Sequence, residues 1–208
     1  MTHPKILLRQ ASATIFAALL PCLGGHAQER CQAFNLETLP KREVRAVWLT
    51  TLSNLDWPKG YATTQEGIER QKRQLTEILD RYAEANINTV LFQARVRATT
   101  TYPSALEPWD RCLTGQEGRD PGYDPLRFAI EECHKRGMEI HAWLATIPCG
   151  PWTSLGCRRL RAKGLRLRKL DGAGYLDPSD ERVAPYLASV CAELTERYDI
   201  AGASPSNA

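Results

Sequence analysis

The sequence predicts an α/β fold: a parallel sheet with helical crossovers, of the truncated (β/α)8 TIM-type barrel kind, with about three to four βα units. Three observations carry this expectation. Four apolar, strand-like runs alternate with helical patterns. The connections that follow the strands are long, and barrel proteins keep their sites in loops on that side of the sheet. The chain has 208 residues, whereas a closed eight-stranded barrel typically takes about 250.

The elements follow in order. Residues 1–27 read as an export signal: Lys5 and Arg9 give a positive start, Ala13 to Gly25 is apolar, and Gly25-His26-Ala27 has the small-x-small pattern of a cleavage site. The apolar stretch is shorter than the about 20 residues that cross a bilayer, so no stable membrane anchor is expected. The expected localisation is periplasmic or extracellular, after cleavage near Ala27. Residues 28–42 form a polar segment, residues 43–202 the βα units, and residues 203–208 a tail.

Val44 to Thr51 is the first strand-like run. A helix follows, with Ile68, Leu75, Ile78, Leu79 and Tyr82 on one face and Thr63 with Glu66 as a capping box. Asn88 to Ala94 is a continuous apolar run of the buried parallel-sheet type. Asp124-Pro125 supplies an N-cap and a first-turn proline for a second helix that ends at Gly137. Met138 to Leu144 is the third strand. A third helix spans about Asp180 to Arg197, with Pro185 predicting an irregular first turn. Tyr198 to Gly202 begins a fourth strand.

Composition narrows the function classes. A net charge of +3 calls for neither nucleic acid nor a membrane surface as partner. Beyond the signal, Cys31, Cys112, Cys133, Cys149, Cys157 and Cys191 remain. Six cysteines allow 15 pairings, and the sequence chooses none of them. The chain has no Cys-x-x-Cys and few histidines, so neither a metal nor another cofactor is expected. The basic run from Arg158 to Lys169 has no interleaved aromatics and reads as a solvated loop and helix face.

Spaced motifs then point to a family. Arg45-Ala46-Val47-Trp48-Leu49-Thr50 with Asn54-Leu55-Asp56-Trp57-Pro58 resembles the opening of the glycosyl hydrolase-like family 10 domain. Phe92-Gln93-Ala94-Arg95, Tyr102-Pro103-Ser104, Glu107-Pro108-Trp109, Leu113-Thr114-Gly115, Pro121 to Leu126, His134 to Gly137 and His141-Ala142-Trp143 continue the resemblance. It implies a glycosidase-type barrel acting on polysaccharide, with bacterial cell-wall glycan as a substrate class. Two departures stand out. Ala145-Thr146-Ile147-Pro148 replaces an Asn-Pro after the third strand. Ala203 to Ala208, which includes Pro205, replaces an apolar fourth strand that would carry a catalytic acid. The tail reads as the product of a frameshift or premature stop, without strand structure, and the catalytic residues are unassigned.

The candidate sugar contacts are Asp56, Trp57, Arg95, Trp109, His141 and Trp143. Each has a plainer alternative. Asp56 suits a turn before Pro58, Arg95 an ion pair with a loop acid, and His141 a hydrogen-bonded core position. Trp57, Trp109, Trp143 and Trp152 each suit core packing, but together on one side of a sheet they suggest a carbohydrate cleft. Three outcomes follow: a glycosidase-family chain inactive on its own, a non-catalytic carbohydrate-binding fragment, or a chain whose uncovered strand edges lead to aggregation.

Overall fold

A computed structural model of the protein describes residues 43–206. The expected export signal and polar segment, with Cys22 and Cys31, lie outside the described residues. Among the described residues, no helix is long and apolar enough to cross a membrane.

Four strands, β1 (Ala46–Leu49), β2 (Thr89–Arg95), β3 (Glu139–Ala145) and β7 (Gly202–Ser206), form one sheet in the order β1-β2-β3-β7. Every pairing in it is parallel, as expected of apolar runs separated by helices. Register places Val47 beside Val90 and Ile140, and Leu49 beside Phe92 and Ala142. These residues share the face that packs against helices. Leu49, Val90, Phe92 and Ile140 are fully buried and Val47 partly so, and burying a side chain like Phe92 is worth about 1.5–3 kcal/mol.

Helices α1 (Gln65–Glu84), α3 (Pro125–Lys135) and α5 (Val183–Arg197) supply the other half of that core through Leu75, Leu79, Leu126, Ile130, Val190 and Leu194. The first cap falls one residue later than the sequence suggested. Thr64, not Thr63, accepts the Gly67 N–H at 3.2 Å. Asp124 caps α3 as expected, with Pro125 in its first turn, and Gly137 takes a left-handed φ of 67° just past the end. Helix α5 starts at Val183, three residues later than expected, because Asp180 first closes a turn onto Val183 N–H. Pro185 therefore sits in the first turn, where a missing N–H leaves no helical bond unmade.

The opposite sheet face carries Trp48, Leu91, His141 and Trp143 and remains open among the described residues. Trp48 is 50% exposed, and its ring meets Trp143 edge-on at 4.8 Å.

Two expectations are corrected. The fourth strand is not Tyr198 to Gly202 but Gly202–Ser206, so residues 203–206 form strand where none was expected. Proline is tolerated because β7 is an edge strand. Ser206 turns its carbonyl toward β3, accepting the Thr146 N–H at 2.8 Å, so the adjoining Pro205 nitrogen points to the unpaired edge. The long connection after β3 is also not a plain loop. It folds as β4 (Pro148–Pro151), α4 (Leu155–Ala162), β5 (Leu167–Leu170) and β6 (Ala173–Leu176), an antiparallel sheet in the order β4-β6-β5. Cys157, Leu160, Leu165, Leu176 and Val183 give it a second small core.

Candidate functional site

Parallel strands deliver their following loops to one edge of the sheet. The loops after β1, β2 and β3 together enclose a cavity of about 580 Å³. Asn54 and Tyr61 come from the first loop, Arg97, Asp110, Arg111 and Glu117 from the second, and Cys149 to Pro151 with Ser154 from the third.

Each loop is fixed by a polar anchor. The Gln93 carboxamide oxygen, buried at the end of β2, accepts Thr50 Oγ1 at 2.8 Å, Thr51 N–H at 2.8 Å and Leu52 N–H at 2.9 Å. Asn54 Nδ2 donates to the carbonyls of Pro58 and Cys112, tying the first loop to the second. Asp110 accepts Cys112 N–H at 2.7 Å and Thr99 Oγ1 at 2.5 Å, capping the short helix α2 (Arg111–Thr114). Glu117 takes Leu155 N–H at 2.9 Å on one oxygen and Gly156 N–H at 2.8 Å on the other, which binds the second loop to the start of α4. A carboxylate suits a helix N-terminus, where N–H groups lack partners.

The deepest anchor is Arg95. Its Nε and Nη2 reach the two oxygens of Glu107 at 2.8 and 2.7 Å, and both side chains are closed to solvent. Nη1 donates to the carbonyls of Ala145 and Thr146 at the end of β3. Tyr186 of α5 adds its hydroxyl to Glu107 at 2.8 Å. Burial works against the Arg95 charge, but the Glu107 carboxylate more than offsets it and holds the pKa above its ordinary value.

None of the six candidate contacts lines the cavity. Arg95 and Trp57 are wholly buried. Trp57 packs on Phe92, and its indole N–H is satisfied by the Gln71 carbonyl at 2.8 Å. Asp56 is exposed and accepts Thr50 N–H at 2.8 Å, the turn-forming alternative. Trp109 packs against the main core. His141 and Trp143 lie half-buried on the open sheet face, and Trp143 donates to Ser206 Oγ at 2.6 Å. The four tryptophans are thus not gathered into one cleft; Trp152 belongs to the small sheet region, with the Arg161 guanidinium 4.1 Å above its ring.

Tyr61, Arg97 and Arg111, which do line the cavity, had no part in the sequence reading. Tyr61 is 46% exposed, and its ring lies over Gly115. A Cβ at Gly115 would fall 3.1 Å from that ring, and its φ of 81° also favours glycine. Arg97 and Arg111 are exposed at the rim. A flat ring, two guanidinium groups and an amide in one concavity suit a polyhydroxylated ligand. Among the described residues, no cluster of His, Cys, Asp or Glu suits a metal ion.

Known proteins resemble the chain over this region. DigH of Escherichia coli strain K12, a glycosyl hydrolase, is 32% identical over 176 residues, a match covering 76% of this chain and 40% of DigH. YngK of Bacillus subtilis strain 168, also a glycosyl hydrolase, is 45% identical over 102 residues, covering 49% of this chain and 19% of YngK. The chain thus matches less than half the length of either relative. Among solved structures, the maltogenic alpha-amylase AmyB from Thermotoga neapolitana aligns with a TM-score of 0.48 and 14% identity, over 77% of this chain and 37% of that one. The family model described as glycosyl hydrolase-like 10 matches residues 43–204, and the chain belongs to that family.

Proposed function

We propose that this chain forms the glycan-binding wall of a glycoside-hydrolase-like protein that acts on O-glycosidic bonds of polysaccharide. Bacterial cell-wall glycan is the substrate class, and the protein is exported. The observation that carries this reading is the cavity itself, enclosed by the loops that follow three consecutive parallel strands. Loops at that end of the strands hold the sites of barrel enzymes. Membership of the glycosyl hydrolase-like 10 family supports a sugar ligand.

The four strands are read as one part of a (β/α)8 barrel. Their helices cover one face only, and the open face carries Trp48, Leu91, His141 and Trp143, the positions that would point into a barrel. A second reading, a non-catalytic carbohydrate-binding unit, is favoured by the carboxylates at the cavity, because Asp110 and Glu117 both spend their two oxygens on local hydrogen bonds.

Retention of the 208-residue chain on immobilised cell-wall glycan tests binding. Tyr61→Ala is expected to weaken retention about 2- to 10-fold, the worth of one aromatic contact of about 0.5–1.5 kcal/mol. Arg97→Ala is expected to weaken it as well. Undiminished retention in both variants, with the fold intact by circular dichroism, would remove the cavity from the reading.

A further inference from the structure

Two buried cysteines beside the cavity face each other. Cys149 belongs to β4, and Cys157 sits in the first turn of α4. Cys157 Sγ lies 3.2 Å from the Cys149 carbonyl oxygen and 3.8 Å from that of Gly150, so it rests against the Cys149 backbone, and both side chains belong to the same small core. Neither residue is exposed to solvent. Their surroundings hold them in place. Ser154 caps the helix by accepting Cys157 N–H at 3.2 Å. Gly174 of β6 passes so close that a Cβ there would fall 2.6 Å from Cys157 Sγ. Of the fifteen pairings that six cysteines leave open, three contain this pair.

We propose that Cys149 and Cys157 are a disulfide-forming pair, whose bond fastens β4 to α4 and so fixes one wall of the cavity. A disulfide places its sulfurs about 2.05 Å apart, and with Cys157 Sγ already against the Cys149 backbone, local rotation of the two side chains suffices for the approach. Cys149 lines the cavity, as do Gly150, Pro151 and Ser154 within the short loop that the bond would close. The oxidant is a disulfide of the glutathione or thiol-oxidoreductase class, admitted by local opening of the cavity wall. Cys157 loses its proton to solvent, and its thiolate attacks the oxidant, forming a mixed disulfide and expelling one thiolate. That thiolate takes the Cys149 proton. The Cys149 sulfur then attacks Cys157, breaks the mixed disulfide and releases the second thiolate, which is protonated by solvent. Two protein thiols are oxidised and one external disulfide is reduced to two thiols.

The electrostatics suit this order. The hydrogen bond with Cys149, aided by Ser154 and Arg161 against the effect of burial, holds the Cys157 pKa at about 6. The same hydrogen bond, together with burial, raises that of Cys149. Cys157 is therefore the thiolate that attacks, and Cys149 the thiol that keeps its proton until the leaving thiolate takes it.

The test uses one tryptic peptide. Gly137 to Arg158 contains Cys149 and Cys157, no other cysteine and no internal Lys or Arg. The 208-residue chain is treated with oxidised glutathione, alkylated without reduction and digested. The peptide is expected to be lighter by two hydrogens than its reduced form and to carry no alkyl group. Oxidation is also expected to raise the thermal midpoint by about 5–10 °C, and Cys149→Ser or Cys157→Ser to abolish that gain. A doubly alkylated peptide, a lasting glutathione adduct, or a crosslink to Cys112, Cys133 or Cys191 would overturn the pairing. The peptide mass of the unsubstituted chain decides the matter even if a serine variant fails to fold.

Discussion

Arg95 and Glu107 meet in a two-point contact, Nε to Oε2 at 2.8 Å and Nη2 to Oε1 at 2.7 Å, sealed from solvent on both sides. This pair joins the end of β2, the loop that follows it and, through Nη1, the end of β3. Removing one member leaves the other charge buried without its partner, which costs about 3–5 kcal/mol. Glu107→Gln and Arg95→Met should each lower the urea midpoint accordingly. Arg95→Met/Glu107→Leu should lose less than the sum of the two. A single variant that loses under about 1 kcal/mol would show that the pair does not hold the loops.

Gly156 is the close-approach point between the second loop and α4. A Cβ there would fall 2.5 Å from the Ala98 carbonyl oxygen and 3.1 Å from the Ala98 Cβ, atoms with little freedom to retreat. Gly156→Ala is therefore expected to destabilise the chain by about 1–3 kcal/mol, although alanine is the better helix former. It should also loosen Glu117 from the start of α4. Denaturant melts check the first effect, and amide exchange at Leu155 and Gly156 checks the second.

The contrast between what was legible and what was not has physical causes. Asn88 to Ala94 was readable as a buried parallel strand because an unbroken apolar run suits a sheet whose strands are buried, and Asp124-Pro125 was readable because cap and proline act within one turn. Asp171-Gly172 was a missed local signal. Both residues take positive φ, and they turn β5 into β6 as a two-residue hairpin. Pro205 misled because the rule against proline in strands applies to paired N–H positions, and which edge stays unpaired is a tertiary fact. The burial of Trp57 and Arg95 was hidden for a related reason. Strand-end position was visible in the sequence, but not whether Trp57 would turn toward Phe92 or toward a ligand. Arg97, two residues beyond Arg95, shows that the strand end had been located while the side chain that reaches the cavity had not.

Asp177 gives the region after β6 an acid limit. Its hydrogen bonds from Ser179, at 2.7 and 3.1 Å, and its ion pair with Arg168 at 3.0 Å hold its pKa down at about 2. Asp180 is lowered too, mainly by Arg182. A carboxyl group depressed in the folded state stabilises it fully above the unfolded pKa of about 3.9. That contribution is lost as pH falls toward 2. Thermal midpoints measured between pH 5 and pH 2 should therefore drop less steeply in Asp177→Asn than in the unaltered chain. Parallel curves would remove Asp177 as a source of the acid sensitivity.

Catalysis poses the sharpest test, because glycoside hydrolysis normally needs two carboxyl groups flanking the scissile bond at about 5–9.5 Å from each other. Five carboxylates in or beside the loops after β1 and β2 are all engaged. Glu107 is sealed against Arg95. Asp110 holds Cys112 and Thr99, and Glu117 holds the start of α4. Asp56 closes its own turn, and Asp124 caps α3 while accepting the Tyr198 hydroxyl at 2.7 Å. Acid–base assistance is worth about 10²–10⁴-fold, but only from a group within hydrogen-bond reach of the reacting atom. A carboxylate that left its present partners for that task would expose unpaired N–H groups or a buried cation. The purified 208-residue chain is therefore expected to retain cell-wall glycan without releasing reducing ends from it, and to leave aryl glycosides uncleaved. Reducing-end release that disappears in Asp110→Asn or Glu117→Gln, with glycan retention unchanged, would place the acid–base pair at this cavity and defeat the prediction.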